Sequence, residues 1–569
     1  MQEAFFARLE REKGVRLNEE QRAAVAFGRG IALLAAAPGS GKTTVAVCRA
    51  ARLLEEGAGA ERVWTLTFSR RSREDLGERF GALFPGRRAP CFSTLHAMSL
   101  RILREAAERA GRELYGVLGD PGPTVRRLLR RQGIREPGEE LLLEACSALE
   151  RETSDPGSGA EAEGFDLARL AREYAQEKRE KRLMDFADMQ VYALRALSRD
   201  AALLRLWQGR MDYVQVDEAQ DTSPVQQKLA ALLAGGCGNL LFIGDADQSI
   251  YGFRGAEPSF LNGFEAAFPG ARVLALPVNF RSRPEIVAAA GRVIRWNAGR
   301  RDLRMRAFRE AGGVVERAPL ADWGEQAAYV CRRARALAPG KTLGVLYRNN
   351  DSAGPLCDAL LRAEIPFALS REGGSERLLG AGSRDLSDLA RLVLDPSDAP
   401  AFARVRGLLA GGGLPAESLA RAAQAGGDCI QAVLRQKGVP AKALERLRAS
   451  GAALAALRGK PTPEVLRGLC RTFRLTDHRY DGLRALAREE ADLRQLLLRA
   501  EALPALIDEQ TAHSRGARVL LSTVHAAKGL EYDEVVLVDA MEGVFPPRGP
   551  GAARIPETRR QLEEETRLM

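Results

Sequence analysis

Short apolar runs alternate with helix-like amphipathic stretches along the chain, a pattern that predicts parallel α/β layers. Four of the runs lead into residues that could bind a ligand: Ile31 to Leu34 leads into a Gly-rich loop, Val63 to Phe68 into Ser69 and Arg70, Tyr213 to Val216 into Asp217 and Glu218, and Leu240 to Ile243 into Gly244 and Asp245. In open α/β sheets, ligands bind beyond the carboxyl ends of the strands. We therefore expect these four strand ends to converge on one site.

Four further apolar runs predict the strands of a second sheet. They are Val273 to Leu276, Leu343 to Tyr347, Val519 to Thr523 and Val535 to Val538. Helical periodicity fills the segments 99–198 and 378–514, apart from breaks rich in Pro and Gly. The pattern predicts two α/β lobes, each interrupted by a helical insertion.

Composition narrows the class of protein. A chain of 569 residues is too long for one hydrophobic core, and its net charge of +10 favours a polyanionic partner. The eight cysteines show no C-x-x-C spacing and only four histidines occur, which argues against a disulfide scaffold, structural zinc or an iron–sulfur cluster. The charged N-terminus and the lack of a long apolar run predict a soluble, cytoplasmic protein.

The segment A-A-A-P-G-S-G-K-T-T at 35–44 follows the first apolar run and precedes a helical pattern. Its glycines let backbone N–H groups turn toward phosphate oxygens, Lys42 supplies a charge for the β and γ phosphates, and Thr43 can hold Mg²⁺. Ala36 stands where such loops usually begin with glycine. The alternative is a Gly-rich turn with a solvated lysine. The predicted nucleotide-binding residues are Ala37, Pro38, Gly39, Ser40, Gly41, Lys42, Thr43 and Thr44.

A pair of carboxylates follows the strand predicted at 213–216, in the sequence V-Q-V-D-E-A-Q-D. Asp217 can hold Mg²⁺ through water, and Glu218 can orient or deprotonate an attacking water. Alone, such a pair is usually an ordinary acidic loop. Together with the phosphate loop, it predicts hydrolysis of a nucleotide.

Seven further motifs occur in the order found in the UvrD/Rep-type superfamily 1 DNA helicases, which this chain therefore resembles. They are L-N-E-E-Q (17–21), T-F-S-R-R-S (67–72), S-T-L-H (93–96), D-E-A-Q-D-T-S-P (217–224), G-D-A-D-Q-S-I-Y-G-F-R-G-A (244–256), V-N-F-R-S (278–282) and S-T-V-H-A-A-K-G-L-E-Y (522–532). The resemblance implies two RecA-like P-loop NTPase lobes with ATP bound between them. The first lobe is predicted at 1–96 and 199–272 with its insertion at 97–198, and the second at 273–377 and 515–569 with its insertion at 378–514.

The resemblance also implies contacts to the nucleotide. Gln21 would read the adenine edge and Phe280, which replaces the more usual tyrosine, would stack on the base. Arg281 from the second lobe and Gln248 would contact the γ phosphate, and Glu531 would touch the sugar. Taken singly, Gln21 could equally be a surface helix residue, Phe280 a core aromatic and Arg281 half of a salt bridge.

A second set of residues is predicted to bind single-stranded DNA. Tyr251, Phe253 and Arg254 combine two rings with a cation in one loop, although Phe253 stands where the family usually has tryptophan. By resemblance, the strand-end residues on the DNA side are Thr67, Phe68, Thr94, His96, Thr523 and His525. The two histidines could instead be metal ligands or core residues, but neither is paired with a second histidine at ligand spacing in the sequence.

These residues predict an ATP- and Mg²⁺-dependent DNA helicase acting on single strands and on junctions with duplex, and the resemblance implies 3′ to 5′ travel. Two alternatives are an ATP- and DNA-binding clamp that does not unwind and the helicase part of a helicase–nuclease. Arg126, Arg127, Arg130 and Arg131 could grip duplex phosphates or form a solvated helix face. A monomer or weak dimer, with accessory repair or replication proteins, is expected.

The last residues, E-E-E-T-R-L-M at 563–569, resemble the opening of the family's motif VI. Its γ-phosphate arginine would lie further on, so we expect this chain to bind ATP and DNA but to hydrolyse and unwind poorly. We also expect an exposed sheet edge beside Val519 to Thr523. The segment M-D-F-A-D-M at 184–189 resembles the D-F-D-D-L segment that closes the first insertion in the family, and it is interpreted as packing and hinge.

Overall fold

The structure is a computed structural model. It describes residues 2–134, 138–155, 164–252, 256–257, 259–370, 378–411, 414–475, 480–490, 492–514, 516–541, 544–545 and 559–568. The chain divides into two compact units, of which the first comprises Met1–Val315 with Glu563–Met569 and the second comprises Glu316–Leu562. None of the described helices carries an apolar stretch long enough to cross a bilayer.

The first unit is built on a six-stranded parallel sheet with the order β3-β2-β6-β7-β1-β8. Strands of this unit, including two short ribbons, are β1 (Ile31–Ala36), β2 (Val63–Thr67), β3 (Cys91–Thr94), β4 (Gly116–Val117), β5 (Leu183–Met184), β6 (Tyr213–Val216), β7 (Leu240–Gly244), β8 (Arg272–Leu276), β9 (Val278–Asn279) and β10 (Arg306–Ala307). The sequence therefore predicted the fold class correctly.

The helices of this unit either cover the two faces of the sheet or pack together in the insertion. They are α1 (Gln2–Lys13), α2 (Glu19–Ala26), α3 (Lys42–Glu55), α4 (Arg70–Leu83), α5 (Leu95–Arg109), α6 (Gly122–Arg131), α7 (Glu139–Ser154), α8 (Leu167–Glu180), α9 (Phe186–Arg199), α10 (Ala201–Gln208), α11 (Pro224–Ala234), α12 (Ser259–Asn262), α13 (Phe264–Ala267) and α14 (Pro284–Ile294). Alternate residues of β1 face opposite cores: Leu33 packs with α5 and α9, and Leu34 packs with α1 to α4. The sheet is thus buried on both sides, as a parallel sheet requires.

The second unit contains a smaller parallel sheet of four strands with the order β12-β13-β11-β14. Its strands are β11 (Leu343–Tyr347), β12 (Phe367–Leu369), β13 (Val519–Thr523) and β14 (Glu534–Leu537). Its helices are α15 (Trp323–Ala336), α16 (Ala353–Arg362), α17 (Gly380–Leu394), α18 (Ala399–Ala410), α19 (Ala416–Ala425), α20 (Cys429–Leu434), α21 (Ala441–Ala456), α22 (Thr462–Phe473), α23 (Asp481–Leu486) and α24 (Leu493–His513).

A last helix, α25 (Arg559–Leu568), closes the chain and ends within the first unit. There the Glu564 carboxylate accepts a hydrogen bond from the backbone N–H of Gly252 at 3.0 Å. The side chain of Asn297 donates to the backbone carbonyl of Glu563 at 2.8 Å.

Two expectations about the sheets are wrong. The strand Val273 to Leu276 was expected in the second sheet, but as β8 it pairs with β1 along its length, with Leu274 opposite Leu34. The first unit consequently extends to Val315, beyond the division predicted at 272/273. The strand β13 is not at an edge either, because it is paired on both sides, by β11 and by β12.

Candidate nucleotide and nucleic-acid site

The phosphate loop connects the buried strand β1 to helix α3, which begins at Lys42. Gly39 and Gly41 adopt left-handed backbone angles, with φ of 63° and 82°, which β-carbon-bearing residues rarely adopt. Lys42 is buried, and Thr43 and Thr44 follow it in the first helical turn. The loop therefore presents a helix N-terminus and one lysine at the carboxyl end of β1, as a phosphate site requires.

Gln21 lies against this loop. Its side-chain nitrogen donates to the backbone carbonyl of Ser40 at 2.9 Å, and its side-chain oxygen accepts from the backbone N–H of Asn18 at 3.0 Å. The second bond is half of a capping box that begins helix α2, in which Asn18 accepts from the backbone N–H of Gln21. Gln21 thus joins the start of α2 to the phosphate loop, and its contact with adenine stays a prediction.

Asp217 and Glu218 follow strand β6, next to β7 and one strand away from β1. Burial raises the pKa of Asp217 to about 7, and the neighbouring Glu218 adds to the shift while the charge of Lys42 opposes it. Burial also raises the pKa of Asp245, after strand β7, to about 6, again against the charge of Lys42. Adjacent strand ends therefore place two buried carboxyl groups within the electrostatic reach of the phosphate-loop lysine.

Glu218 adopts a left-handed backbone conformation with φ of 54°. A non-glycine residue in this region is strained by an amount on the order of 1 kcal/mol and often marks a functional turn. The turn Ala219–Asp221 follows directly and is buried. This backbone conformation places Glu218, the predicted base, directly after Asp217 at the end of the strand.

Gln248 ends a short turn after Asp245 and donates its side-chain amide to the Asp245 carboxylate at 2.8 Å. Asp247, in the same turn, forms an ion pair with Arg300 at 2.6 Å. The predicted γ-phosphate sensor is therefore fixed to the strand end that carries Asp245. Its contact with phosphate stays a prediction.

The segment Asn279 to Ser282 lies directly on the phosphate loop. The backbone N–H of Phe280 donates to the carbonyl of Gly39 at 2.9 Å, and a Cβ placed on Gly39 would lie 2.7 Å from the Cβ of Arg281. Arg281 was expected to come from the second lobe, but it belongs to the first compact unit, where the bond from Phe280 to Gly39 and the pairing of β8 with β1 hold this segment. Its role toward the γ phosphate stays a prediction.

Asn279 shapes this segment, although its place in the motif V-N-F-R-S did not predict a role for it. Its buried side-chain oxygen accepts from the backbone N–H groups of Arg281 at 2.8 Å and Ser282 at 2.7 Å. The Phe280 ring lies 4.9 Å from the ring of Phe308. An asparagine preceding a turn was the available signal, since its side chain commonly bonds the backbone two residues on.

Residues predicted to bind DNA lie at the same end of the first sheet. The Phe68 ring stacks on Tyr251 with centroids 5.8 Å apart and planes at 22°. Thr67 ends strand β2 and is buried, while the Thr94 hydroxyl caps helix α5 by accepting from the backbone N–H of Ala97 at 3.1 Å. The predicted contacts Phe253 and Arg254 lie outside the described residues.

His96 is held by the insertion helix α9. Its ring nitrogen lies 2.6 Å from the side-chain nitrogen of Gln190, and Phe186 meets the ring edge to face at 5.5 Å. Phe186 is 42% exposed beside His96, so it adds an accessible ring that the packing interpretation of 184–189 missed. Packing is also present in that segment, because buried Lys178 pairs with both Asp185 and Asp188, which form the capping box of α9.

The second unit carries Thr523, His525 and Glu531 after strand β13. The turn repeats the local arrangement at Thr94: Thr523 accepts from the backbone N–H of Ala526 at 3.2 Å. Ser93 and Ser522, one residue earlier in each unit, donate to the carbonyls of Thr94 and Thr523 at 3.2 and 3.1 Å. The sequence S-T-x-H-A therefore builds the same turn at a strand end in both units.

The basic residues of α6 are exposed, apart from the ion pair of Arg127 with Glu177. Both interpretations of this face, as a duplex grip or as a solvated surface, stay open.

Gln220, to which the motif D-E-A-Q-D gave no predicted role, is fully buried between the strand ends of β6 and β7. Its position between two acidic residues in the sequence D-E-A-Q-D was the only available signal.

Comparison with known proteins places these motifs in a family. Residues 17–269 match the UvrD/REP helicase N-terminal domain, and residues 466–569 match the UvrD-like helicase C-terminal domain. The ATP-dependent DNA helicase UvrD1 of Mycobacterium tuberculosis is 32% identical over 417 residues, covering 68% of this chain and 54% of the relative. The ATP-dependent DNA helicase PcrA of Staphylococcus aureus is 29% identical over 404 residues, covering 68% of this chain and 55% of the relative.

The chain spans about half the length of the curated relatives that it matches. The two matched domains contain the phosphate loop, the Asp217–Glu218 pair and the S-T-x-H-A turns described above. The chain therefore belongs to the UvrD/Rep family of superfamily 1 helicases.

Proposed function

We propose that this chain binds ATP with Mg²⁺, binds single-stranded DNA, and carries nucleotide and DNA contacts of an ATP-dependent DNA helicase, which couples ATP hydrolysis to movement along the strand. The family resemblance supports 3′ to 5′ travel. One observation carries the proposal: a single sheet end bears the phosphate loop, the Asp217–Glu218 pair and the stacked rings of Phe68 and Tyr251. Nucleotide chemistry and a base-stacking surface thus share the ends of adjacent strands.

The residues of the phosphate loop bind and orient the nucleotide in this proposal. Backbone N–H groups at the start of α3 and the charge of Lys42 neutralise the phosphates. Glu218 orients the attacking water and takes its proton, from a position that its strained backbone fixes. Arg281 and Gln248 are proposed to meet the γ phosphate.

The donor set also fits Mg²⁺, which prefers oxygen ligands. Thr43 and Asp217 would hold the ion, and the raised pKa of buried Asp217 indicates a carboxyl group that lacks a full compensating charge. The ion would neutralise charge that develops on the phosphate oxygens.

The DNA surface is proposed to bind by stacking and by phosphate contacts. Phe68, Tyr251 and the exposed Phe186 offer rings to bases, which stack with little regard to sequence. Thr94 and His96 in the first unit and Thr523 and His525 in the second are proposed to bond phosphates. The net charge of +10 supports the same polyanionic partner.

Two substitutions with opposite expected effects test the assignment of the nucleotide site and the DNA-stacking surface. Lys42→Ala should weaken binding of a fluorescent ATP analogue with Mg²⁺ about 10- to 100-fold, because a charge-assisted contact is lost, and should leave binding of a dT oligonucleotide unchanged. Tyr251→Ala should weaken oligonucleotide binding about ten-fold and leave nucleotide binding unchanged. Fluorescence titration and anisotropy on the full chain measure both.

Matched controls are the exposed residues Lys228 and Tyr115, whose alanine variants should bind both ligands as the wild type does. Glu218→Gln should bind the nucleotide normally and slow its DNA-stimulated hydrolysis, which also separates a motor from a static clamp. Wild-type nucleotide binding by Lys42→Ala would refute the phosphate site, and unchanged DNA binding by Tyr251→Ala combined with Phe68→Ala would refute the stacking surface.

A further inference from the structure

We propose that Gln220 is a positioning residue that couples the nucleotide site to the DNA-binding loop. It holds the Glu218 carboxylate with one end of its amide and the end of strand β7 with the other. The inference rests on the proposed function, since it assumes that Glu218 serves the nucleotide and that Tyr251 serves DNA.

Three hydrogen bonds fix Gln220 in place. Its side-chain nitrogen donates to the Glu218 carboxylate, and its side-chain oxygen accepts from the backbone N–H of Asp245 at 3.0 Å. Its backbone carbonyl accepts from the Ser249 hydroxyl at 3.0 Å. Because the residue is fully buried, water cannot replace these partners at little cost.

Residues of both segments allow the end of β7 to lie close to the turn after β6. A Cβ placed on Gly244 would lie 2.7 Å from the side-chain oxygen of Gln220 and 3.2 Å from its backbone nitrogen. Only glycine therefore lets the end of β7 come within hydrogen-bonding distance of the turn after β6. Thr222 extends the connection, since its carbonyl accepts from the backbone N–H of Glu257 at 3.4 Å.

The connected segment carries the residues proposed to sense both ligands. Gln248 is bonded to the Asp245 carboxylate, and Tyr251 stacks on Phe68 two residues after Ser249. A base that enters against Tyr251 must move this ring or its neighbour. Such a movement reaches Gln220 through Ser249 and Asp245, and it reaches Glu218 through the Gln220 amide.

The amide group suits this position because one end donates and the other accepts. A glutamate at 220 could still accept from Asp245 but could not donate to Glu218, and it would add a like charge. A methionine of similar volume cannot donate to Glu218, and it also leaves the buried Asp245 N–H without its partner. Glutamate therefore breaks only the bond to Glu218, whereas methionine breaks both bonds.

Coupling between two ligands is measurable from binding alone. If nucleotide changes DNA affinity by some factor, DNA must change nucleotide affinity by the same factor. We expect a wild-type factor of about five or more, from anisotropy of a labelled dT oligonucleotide with and without a non-hydrolysable ATP analogue and Mg²⁺. In Gln220→Met and Gln220→Glu, the factor should fall to within about two-fold of one, while each ligand alone still binds.

Gly244→Ala provides an independent variant, because its added Cβ displaces the Gln220 side chain without changing it; it too should lose the coupling. Gln226→Met is the matched control, since buried Gln226 caps the neighbouring helix α11 through Ser223 and contacts neither Glu218 nor Asp245 by a hydrogen bond among the described residues. It should keep the wild-type factor.

A wild-type coupling factor in Gln220→Met, or in Gly244→Ala when Gln220→Met does not fold, would overturn the role of Gln220. Failure of the wild-type chain to bind nucleotide or DNA would instead refute the proposed function. A wild-type chain that binds both ligands without mutual influence would overturn the coupling itself.

Discussion

At the scale of the residue, burial sets the chemistry of single carboxyl groups in the candidate site. Asp245 is 3% exposed, and burial raises its pKa to about 6 from an unfolded value near 3.9. The folded chain therefore binds this proton more tightly than the unfolded chain does. The stabilisation that results is complete below about pH 4 and is lost as the pH rises through about 6.

We therefore expect Asp245→Asn to stabilise the free protein at pH 8 by about 1 to 3 kcal/mol, with a smaller gain at pH 5. Urea unfolding of both chains at the two pH values measures the difference. Asp302→Asn, at a largely exposed aspartate of the same unit, should show no such pH-dependent difference. An equal effect of Asp245→Asn at both pH values would contradict the assignment.

At the scale of the element, two arginines of α3 donate hydrogen bonds to backbone carbonyls at the C-terminal end of α2. Arg49 donates to the carbonyls of Phe27 and Gly28 and to the side chain of Gln215, and Arg52 donates to the carbonyls of Val25 and Phe27. A helix end leaves its last carbonyls without partners inside the helix. The two arginines therefore fix α2, and with it Gln21, against the helix that begins at the phosphate loop.

Arg49→Met should lower the free energy of unfolding by about 2 to 4 kcal/mol, because it leaves several buried acceptors without donors. The free energy of unfolding of Arg49→Lys should lie between those of the wild type and Arg49→Met, since an ammonium group cannot reach all three acceptors in the same geometry. Chemical denaturation followed by circular dichroism gives both values. The control Arg79→Met changes an exposed ion pair on α4 and should lower the free energy of unfolding by no more than about 0.5 kcal/mol. A similarly small loss in Arg49→Met would show that water satisfies the α2 carbonyls.

At the scale of the whole molecule, the proposed nucleotide contacts are divided between the two compact units. The first unit contains Gln21, Lys42, Asp217 and Arg281, and the second contains Glu531. Glu531 is exposed and follows the S-T-x-H-A turn of its own unit. Its contact with the nucleotide sugar stays a prediction that rests on the family resemblance.

Hydrogen exchange on the full chain tests this division. A saturating non-hydrolysable ATP analogue with Mg²⁺ should slow exchange in residues 37–44 and also in residues 525–534, because a ligand at 100 times its Kd suppresses opening by about 2.7 kcal/mol. Glu531→Ala should remove the second effect and keep the first. Protection confined to 37–44 in the wild-type chain would show that Glu531 makes no contact.

The sequence by itself determined the elements and the local chemistry of this protein. The apolar run before Gly39 and Gly41 specified a strand, a loop and a helix start, and a strand followed by Asp217 and Glu218 specified an acidic turn. These features depend on residues close together in the chain, where side-chain periodicity and backbone preference decide the outcome. The two-lobed α/β fold class followed from the same local patterns.

Only the tertiary structure decided which distant segments meet. The apolar pattern of Val273 to Leu276 fits any parallel sheet, and its pairing with β1 depends on packing across more than two hundred intervening residues. The hydrogen-bond partners of Gln220 and Asn279 were likewise decided by the fold, because an amide gains a role only when the groups that it bonds are brought to it. Likewise, the raised pKa of Asp217 comes from burial, which the whole fold creates. Local sequence fixes which groups are present, whereas long-range packing fixes their partners and their dielectric surroundings.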